Sequence, residues 1–364
     1  MNKITILLVL ILLLRSDKTF PQAFQNRPVY TSMHYIKDSL AGGQRNLNDK
    51  PLTEIEMLTD SRIPARTILG YSAQQRPVEA WFFPGTSNER ALVVGGMHGS
   101  ELSSVEVAGK LIDLLSSGRK PFFNVMIIPV LFPDNAAAGM AEKAGDINKG
   151  RYTTRLHADP NRQMPPLGKT FSIHDAHDHA GRLIERENQM LLNLIQEFVP
   201  SRIISLHAIR DVKKGGIYAD PRTDCKGVAL GFEEDSMLAV SMAKYIHDEG
   251  GRVPGNRMES QITALYYKDP PAVPKGAIQK RTLAGSSLPD NRGFGVSLGG
   301  WASTAVCNGE KTRDAIILIT AEFPGYKPSG LYTGKAKDDC IRNVSLFAES
   351  IKNIFLEPDA NKND

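Results

Sequence analysis

His98 and Glu101 stand three residues apart in the run VVGGMHGSE, residues 93–101, where an apolar stretch ends in a glycine-rich turn. A His nitrogen and a Glu oxygen both ligate zinc, at about 2.0–2.2 Å. On a turn that opens a helix, two side chains at this spacing can face one point. A third ligand and an open position for water would complete a hydrolytic centre. Taken alone, the pair also fits a capping Glu beside a surface His, so its meaning depends on the elements around it.

Those elements read as an α/β pattern. ALVVGG, residues 91–96, is a buried strand, and Glu101 to Leu115 repeats apolar residues at helical spacing. PVEAWFF, Pro77 to Phe83, alternates like a half-buried strand, and NVMIIPVLF, Asn124 to Phe132, reads as a central one. Pro133 to Ala180 is rich in Gly, Pro, Asp and His and reads as a long loop. A helix from about Gly181 to Phe198 leads into the strand RIISLHA, Arg202 to Ala208. Another helix covers Asp235 to Glu249, and residues 251–312 are loop-dominated. The strand AIILITAEF, Ala315 to Phe323, and a helix from Ala336 to Phe355 complete the chain. This alternation predicts a single α/β domain with a mixed, mostly parallel central sheet flanked by helices. Long loops within such a domain usually carry function.

Polar residues recur at the ends of these apolar strands or in the loops after them. They are His98 with Glu101, the DPNR run Asp159 to Arg162, His207 closing RIISLH, and Glu322 closing ILITAE. His207 on its own reads as a satisfied core histidine. A carboxylate ending an apolar strand costs several kcal/mol unless it is paired or faces a cleft. Together the four positions describe a hydrolytic metal centre with a general base.

The ordered motifs GGMHGSE, PVLFPDN, DPNR, SLHA and ITAEFP resemble the zinc metallocarboxypeptidase family, above all its bacterial murein peptide amidase branch. The likeness spans about residues 64–325, with ILGYSAQQRPVEAWFF and GVSLGGWAS, Gly295 to Ser303, adding to it. It implies one zinc per chain on His98, Glu101 and His207, with Glu322 as general base. It implies that Asn161 and Arg162 bind a substrate's terminal carboxylate. It also implies an oxyanion-stabilising Arg, for which Arg151 is placed ahead of Arg155. Three departures count against a digestive type of specificity. NRQMPP stands where the family reads Asn-Arg-Asn-Phe, and PDN replaces Pro-Asp-Gly. No tyrosine falls where a lid is usual: Tyr266 and Tyr267 are remote, and Trp301 lies in the matching segment as a substrate-binding candidate.

Composition bounds the rest. The chain has 364 residues, 41% hydrophobic and 23% charged, with a dispersed net charge of +4 that offers no nucleic-acid surface. Lys3 followed by the apolar run Ile4 to Leu14 predicts a signal peptide over residues 1–23, with a retained membrane anchor as the alternative. Its removal leaves a nearly neutral, exported chain with no stable membrane partner. Residues 24–60 read as a lead-in and 61–357 as the catalytic domain. Cys225, Cys307 and Cys340 allow one disulfide, unassigned from sequence. HDAHDHA, His174 to Ala180, could hold a second metal through His174, His177 and His179, but Asp175 and Asp178 fit a solvated loop and helix cap better.

The expected function is hydrolysis of an amide next to a free carboxylate in a peptide or muropeptide. The alternatives are a general metallocarboxypeptidase, a small-molecule deacylase of the aspartoacylase and succinylglutamate desuccinylase kind, and a catalytically inactive binding domain on the same fold.

Overall fold

The computed structural model describes residues 58–59, 61–143, 145–153, 155–258, 293–307 and 312–358. The signal-like run, nearly all of the lead-in, Tyr266 and Tyr267 lie outside the described residues. Among the described residues no helix is long and apolar enough to cross a membrane.

In chain order the elements are β1 Ala65–Tyr71, β2 Pro77–Phe83, β3 Arg90–Val94, α1 Leu102–Ser117, β4 Asn124–Ile128 and α2 Pro133–Ala141. Next come α3 Arg186–Phe198, β5 Arg202–Ile209, β6 Gly216–Ala219 and α4 Glu233–Asp248. α5 Leu298–Ala302, β7 Ile317–Pro324 and α6 Gly334–Ser350 follow. The strands form one mixed sheet in the order β1-β2-β4-β3-β5-β7-β6. β4, β3, β5 and β7 run parallel, while β1, β2 and β6 pair antiparallel at the margins.

Strand periodicity divides the core into two layers. Ala91 and Val93 of β3 face one side, with α1, α4 and α6 packed over them. Leu92 and Val94 face the other, beneath α3 and α5. With both faces covered, β3 and β4 are near-continuous apolar runs, as parallel strands in such sheets usually are.

The connection after β3 leads to β4 on one side, whereas β5 pairs on the opposite side of β3. The chain thus reverses direction across the sheet at β3 and β5. In open α/β sheets the crevice at the carboxyl ends of such strands is where ligands bind. His98 follows β3, and His207 lies in the last turn of pleat of β5.

Several segments differ from expectation. The strand beginning at Asn124 ends at Ile128, and Pro133–Ala141 in the expected loop is helical. Pro133 there occupies the first turn, where its missing N–H costs nothing, and three alanines follow. Its Pro, Asn and Gly content resembles a loop, and nine residues are too few for a clear helical stripe. α3 starts at Arg186 rather than Gly181, because Asp178 Oδ1 accepts the Ala180 and Arg182 backbone N–H groups and holds a turn there. β6 and α5 are four and five residues long, too short to show periodicity.

Candidate metal centre

The turn Gly95–Glu101 lifts His98 and Glu101 over the end of β3. Gly96 adopts φ +63°, a left-handed conformation suited to glycine. Gly99 lies so close to Asn135 that a Cβ would stand 2.1 Å from its carbonyl carbon. The tight approach seats the His98 turn on the start of α2. Glu101 then precedes the first turn of α1, where Ser104 Oγ and N both donate to its carbonyl.

His98, Glu101 and His207 are all buried, with potential ligand atoms within 4.8 Å of one another. Glu101 is the centre of the group. Its Oε1 lies 2.9 Å from His98 Nδ1 and its Oε2 lies 3.0 Å from His207 Nδ1. Ala208 N also donates to Oε2, at 3.0 Å. The far nitrogens are engaged elsewhere. His98 Nε2 meets Asp159 Oδ1 at 2.8 Å. His207 Nε2 lies 3.1 Å from Ser205 Oγ and 3.4 Å from Asn161 Nδ2. Both imidazoles therefore turn Nδ1 toward one carboxylate.

The electrostatics favour a cation at this point. Burial alone would lower the His98 pKa, but Glu101 and Asp159 outweigh it and hold it at about 9. Burial would raise Glu101, yet His98 and His207 keep its carboxyl well below the usual range. Two Nδ1 atoms and a carboxylate, desolvated and mutually close, form a donor set that zinc accepts.

Arg151 reaches this group from the long loop, with Nη1 3.0 Å from Glu101 Oε1 and Nη2 3.4 Å from Asp159 Oδ2. Arg155 turns elsewhere and pairs with Glu185 at 3.4 Å. Glu322 is the registered neighbour of His207 across the parallel β5–β7 pair, so both side chains leave the same sheet face. Burial raises its pKa, and Glu101 adds to the rise while His207 and His98 oppose it. A carboxylate raised in this way can hold a proton transiently.

Asn161 and Arg162 lie on a short 3-10 turn begun by Asp159, whose carboxylate accepts Asn161 N at 2.9 Å. Asn161 Oδ1 accepts Leu298 N at the start of α5, at 2.9 Å. Arg162 Nη1 donates to Asn161 O at 2.6 Å.

Trp301 does not lie at this site. It stands on α5 and is fully buried in the core, its Nε1 donates to Lys169 O at 2.8 Å, and Arg313 stacks on it at 4.4 Å. A large aromatic with its one donor satisfied packs the interior, and its expected role in substrate contact is withdrawn. The His174–His179 cluster forms no metal group among the described residues. His177 Nδ1 meets Asp175 at 2.9 Å on the surface, and Asp178 pairs with Arg182 at 2.7 Å. Sequence reasoning gave no role to Asp159, which orients His98 and anchors Arg151. Its position two residues before Asn161 in DPNR was the available signal.

No protein-family sequence model matches the chain, and no curated protein sequence does. Solved structures are similar to it. Murein-tripeptide amidase from Escherichia coli O157 aligns over 81% of this chain and 94% of its own, at 16% identity and a TM-score of 0.41. Carboxypeptidase A from Helicoverpa armigera aligns over 82% of this chain and 71% of its own, at 14% identity and a TM-score of 0.47.

Proposed function

We propose that this chain is a zinc-dependent peptidase or amidase that hydrolyses an amide next to a free carboxylate. One observation carries the reading. A buried His98–Glu101–His207 group at the β3/β5 crevice has Glu322 in register beside it and Arg151 in contact with it. An inactive binding domain would need none of the last two residues.

His98 Nδ1, His207 Nδ1 and the Glu101 carboxylate would hold the metal. When bound, zinc polarises the scissile carbonyl and brings its water's pKa to about 7. Asp159 keeps His98 Nδ1 turned inward by taking Nε2. Glu322 accepts the attacking water's proton and delivers it to the departing amine nitrogen. Arg151 donates N–H groups to the charge that develops on the carbonyl oxygen. Asn161 and Arg162 receive the terminal carboxylate, Arg162 through its two-pronged guanidinium, and so select which end enters.

The substrate class we favour is a muropeptide, with the γ-D-glutamyl–diaminopimelate bond cleaved after export. The sequence departs from the digestive pattern after Asn161–Arg162 and in lacking a tyrosine where a lid is usual. Diaminopimelate carries an amine and two carboxyl groups, and a polar site discriminates by the partners that a wrong substrate leaves unpaired. Product analysis by mass spectrometry on a murein tripeptide beside N-blocked dipeptides tests this. The tripeptide should show the larger kcat/KM, and Arg162→Ala should raise KM for substrates with a free carboxylate. Faster cleavage of the dipeptides would assign a general metallocarboxypeptidase. Turnover confined to N-acyl amino acids would assign a deacylase.

A further inference from the structure

The run HDAHDHAGR, residues 174–182, forms no metal group among the described residues, yet it packs against the back of the Asn161–Arg162 turn. Asp178 is its anchor. The Asp178 side chain is fully buried, and Oδ1 accepts Ala180 N at 2.8 Å and Arg182 N at 2.9 Å. Oδ2 accepts Arg182 Nε at 2.7 Å, which fixes the guanidinium on its own loop. From there Arg182 reaches two other segments of the chain. Its Nη2 donates to Arg162 O at 2.9 Å and to Phe294 O at 2.8 Å.

The three segments meet closely at the Arg162 carbonyl. Gly295 has φ +136°, and a Cβ there would stand 2.1 Å from Arg162 O and 3.2 Å from Arg182 Nη2. Glycine alone permits that approach. Backbone bonds tie the same segments together: His179 N donates to Met164 O and Met164 N to Val296 O, both at 3.2 Å. On its other side Arg162 N donates to Asp159 O at 2.9 Å. The backbone of Arg162 is thus held at both ends, its N–H by the residue that orients His98 and its carbonyl by Arg182.

We propose that Arg182, seated by Asp178, is a positioning residue that sets the reach of Arg162 and thereby the preference for a free carboxylate, an inference that rests on the peptidase reading. Arginine suits this task and lysine does not. The planar fork presents Nε to a carboxylate and Nη2 to two carbonyls at once, whereas lysine offers all its donors from one flexible nitrogen. Without that span the Arg162 carbonyl turns, and the base of the Arg162 side chain turns with it. A displacement of about 1 Å in a group that positions substrate is enough to weaken its action tenfold or more.

The test takes whichever of the murein tripeptide and the N-blocked dipeptides the wild type cleaves faster, beside a twin amidated at the carboxylate next to the scissile bond. The wild type should favour the free carboxylate in kcat/KM by about tenfold or more. Arg182→Lys should lose most of that preference. Its KM for the free carboxylate should rise about tenfold, with kcat changed about threefold or less and zinc still at one per chain. Cleavage of the amidated twin should change about threefold or less, because it makes no ion pair with Arg162. The preference is a ratio, so it does not move with the fraction of folded protein. Asp178→Asn removes the charge that seats the guanidinium and should lower the preference in the same direction, which keeps the test available if Arg182→Lys fails to fold. Variants that keep the wild-type preference, or that lose activity equally on both twins, overturn the proposal and leave the peptidase reading in place. A wild type that cleaves neither twin, or both alike, removes the carboxylate-binding role of Arg162 and overturns the reading and the inference together.

Discussion

His98 presents Nδ1 to the crevice because Asp159 engages its other nitrogen, and His207 does the same with Ser205 and Asn161 behind it. His207→Ala leaves the other two ligands in place but removes the one contributed by a different strand. Bound zinc should fall from one per chain to well below one, as read by metal analysis of the purified variant. Retention of a full equivalent would show that the ligand set is wrong. Glu322 makes a separate prediction, because it touches the chemistry without ligating. Burial raises its pKa, so the acid limb of kcat/KM should lie higher than a solvated carboxylate base would give, since the base must be ionised and protonation at lower pH removes it. Glu322→Gln should keep zinc, lose about 10²-fold or more in kcat and abolish that limb. Near-wild-type turnover would eliminate the general-base role. At this scale the ligand pair was legible because three-residue spacing is local. Asp159 was not, because its partner His98 is 61 residues away. Trp301 was named because its segment resembles the family, and a matching segment does not tell which of its side chains pack into the core.

α3 begins with an electrostatic conflict. Glu187 sits in its first turn, where the helix dipole favours a negative charge. Burial opposes that charge more strongly, with Glu185 and Asp134 adding to the effect, and raises the Glu187 pKa to about 7. The folded value exceeds the ordinary value of 4.5, so the folded state holds an extra proton between them. The stability from this group is complete below the lower value and is lost as pH rises through about 7. Glu187→Gln should therefore melt at a higher temperature than the wild type at pH 8 and close to it at pH 5. An equal difference at both pH values would show that Glu187 is not the titrating group. The long strands and helices were legible because they repeat their pattern several times. α2, β6 and α5 were not, and α2 is the one that matters, since Asn135 braces the Arg151 loop from it.

On the scale of the whole molecule, parts far apart in sequence must hold one crevice in shape, and covalent chemistry contributes. Cys225 and Cys307 form a disulfide with Cα atoms 5.7 Å apart and a sequence separation of 82 residues, while Cys340 remains free. The alternating α/β pattern foretold the mixed sheet, but three cysteines gave no means of choosing this pair. The bridge joins the loop after β6 to the segment after α5. There Thr223 N donates to Ser303 O and Ala305 N to Thr223 O, both at 2.9 Å. At its other end α5 donates Leu298 N to Asn161, so the bridge fixes the wall against which the carboxylate-binding pair rests. Closing a loop of this length stabilises a fold by roughly 2–4 kcal/mol, chiefly through the unfolded chain. The double variant Cys225→Ser with Cys307→Ser should lose about that much unfolding free energy, with a lower denaturation midpoint, and keep its zinc, because His98, Glu101 and His207 lie on other elements. Looser support for Asn161 should raise KM more than it lowers kcat. Denaturation curves and steady-state kinetics on the same preparation read both effects. An unchanged midpoint would show that backbone pairing alone holds α5, and an unchanged KM would detach the bridge from the substrate pocket.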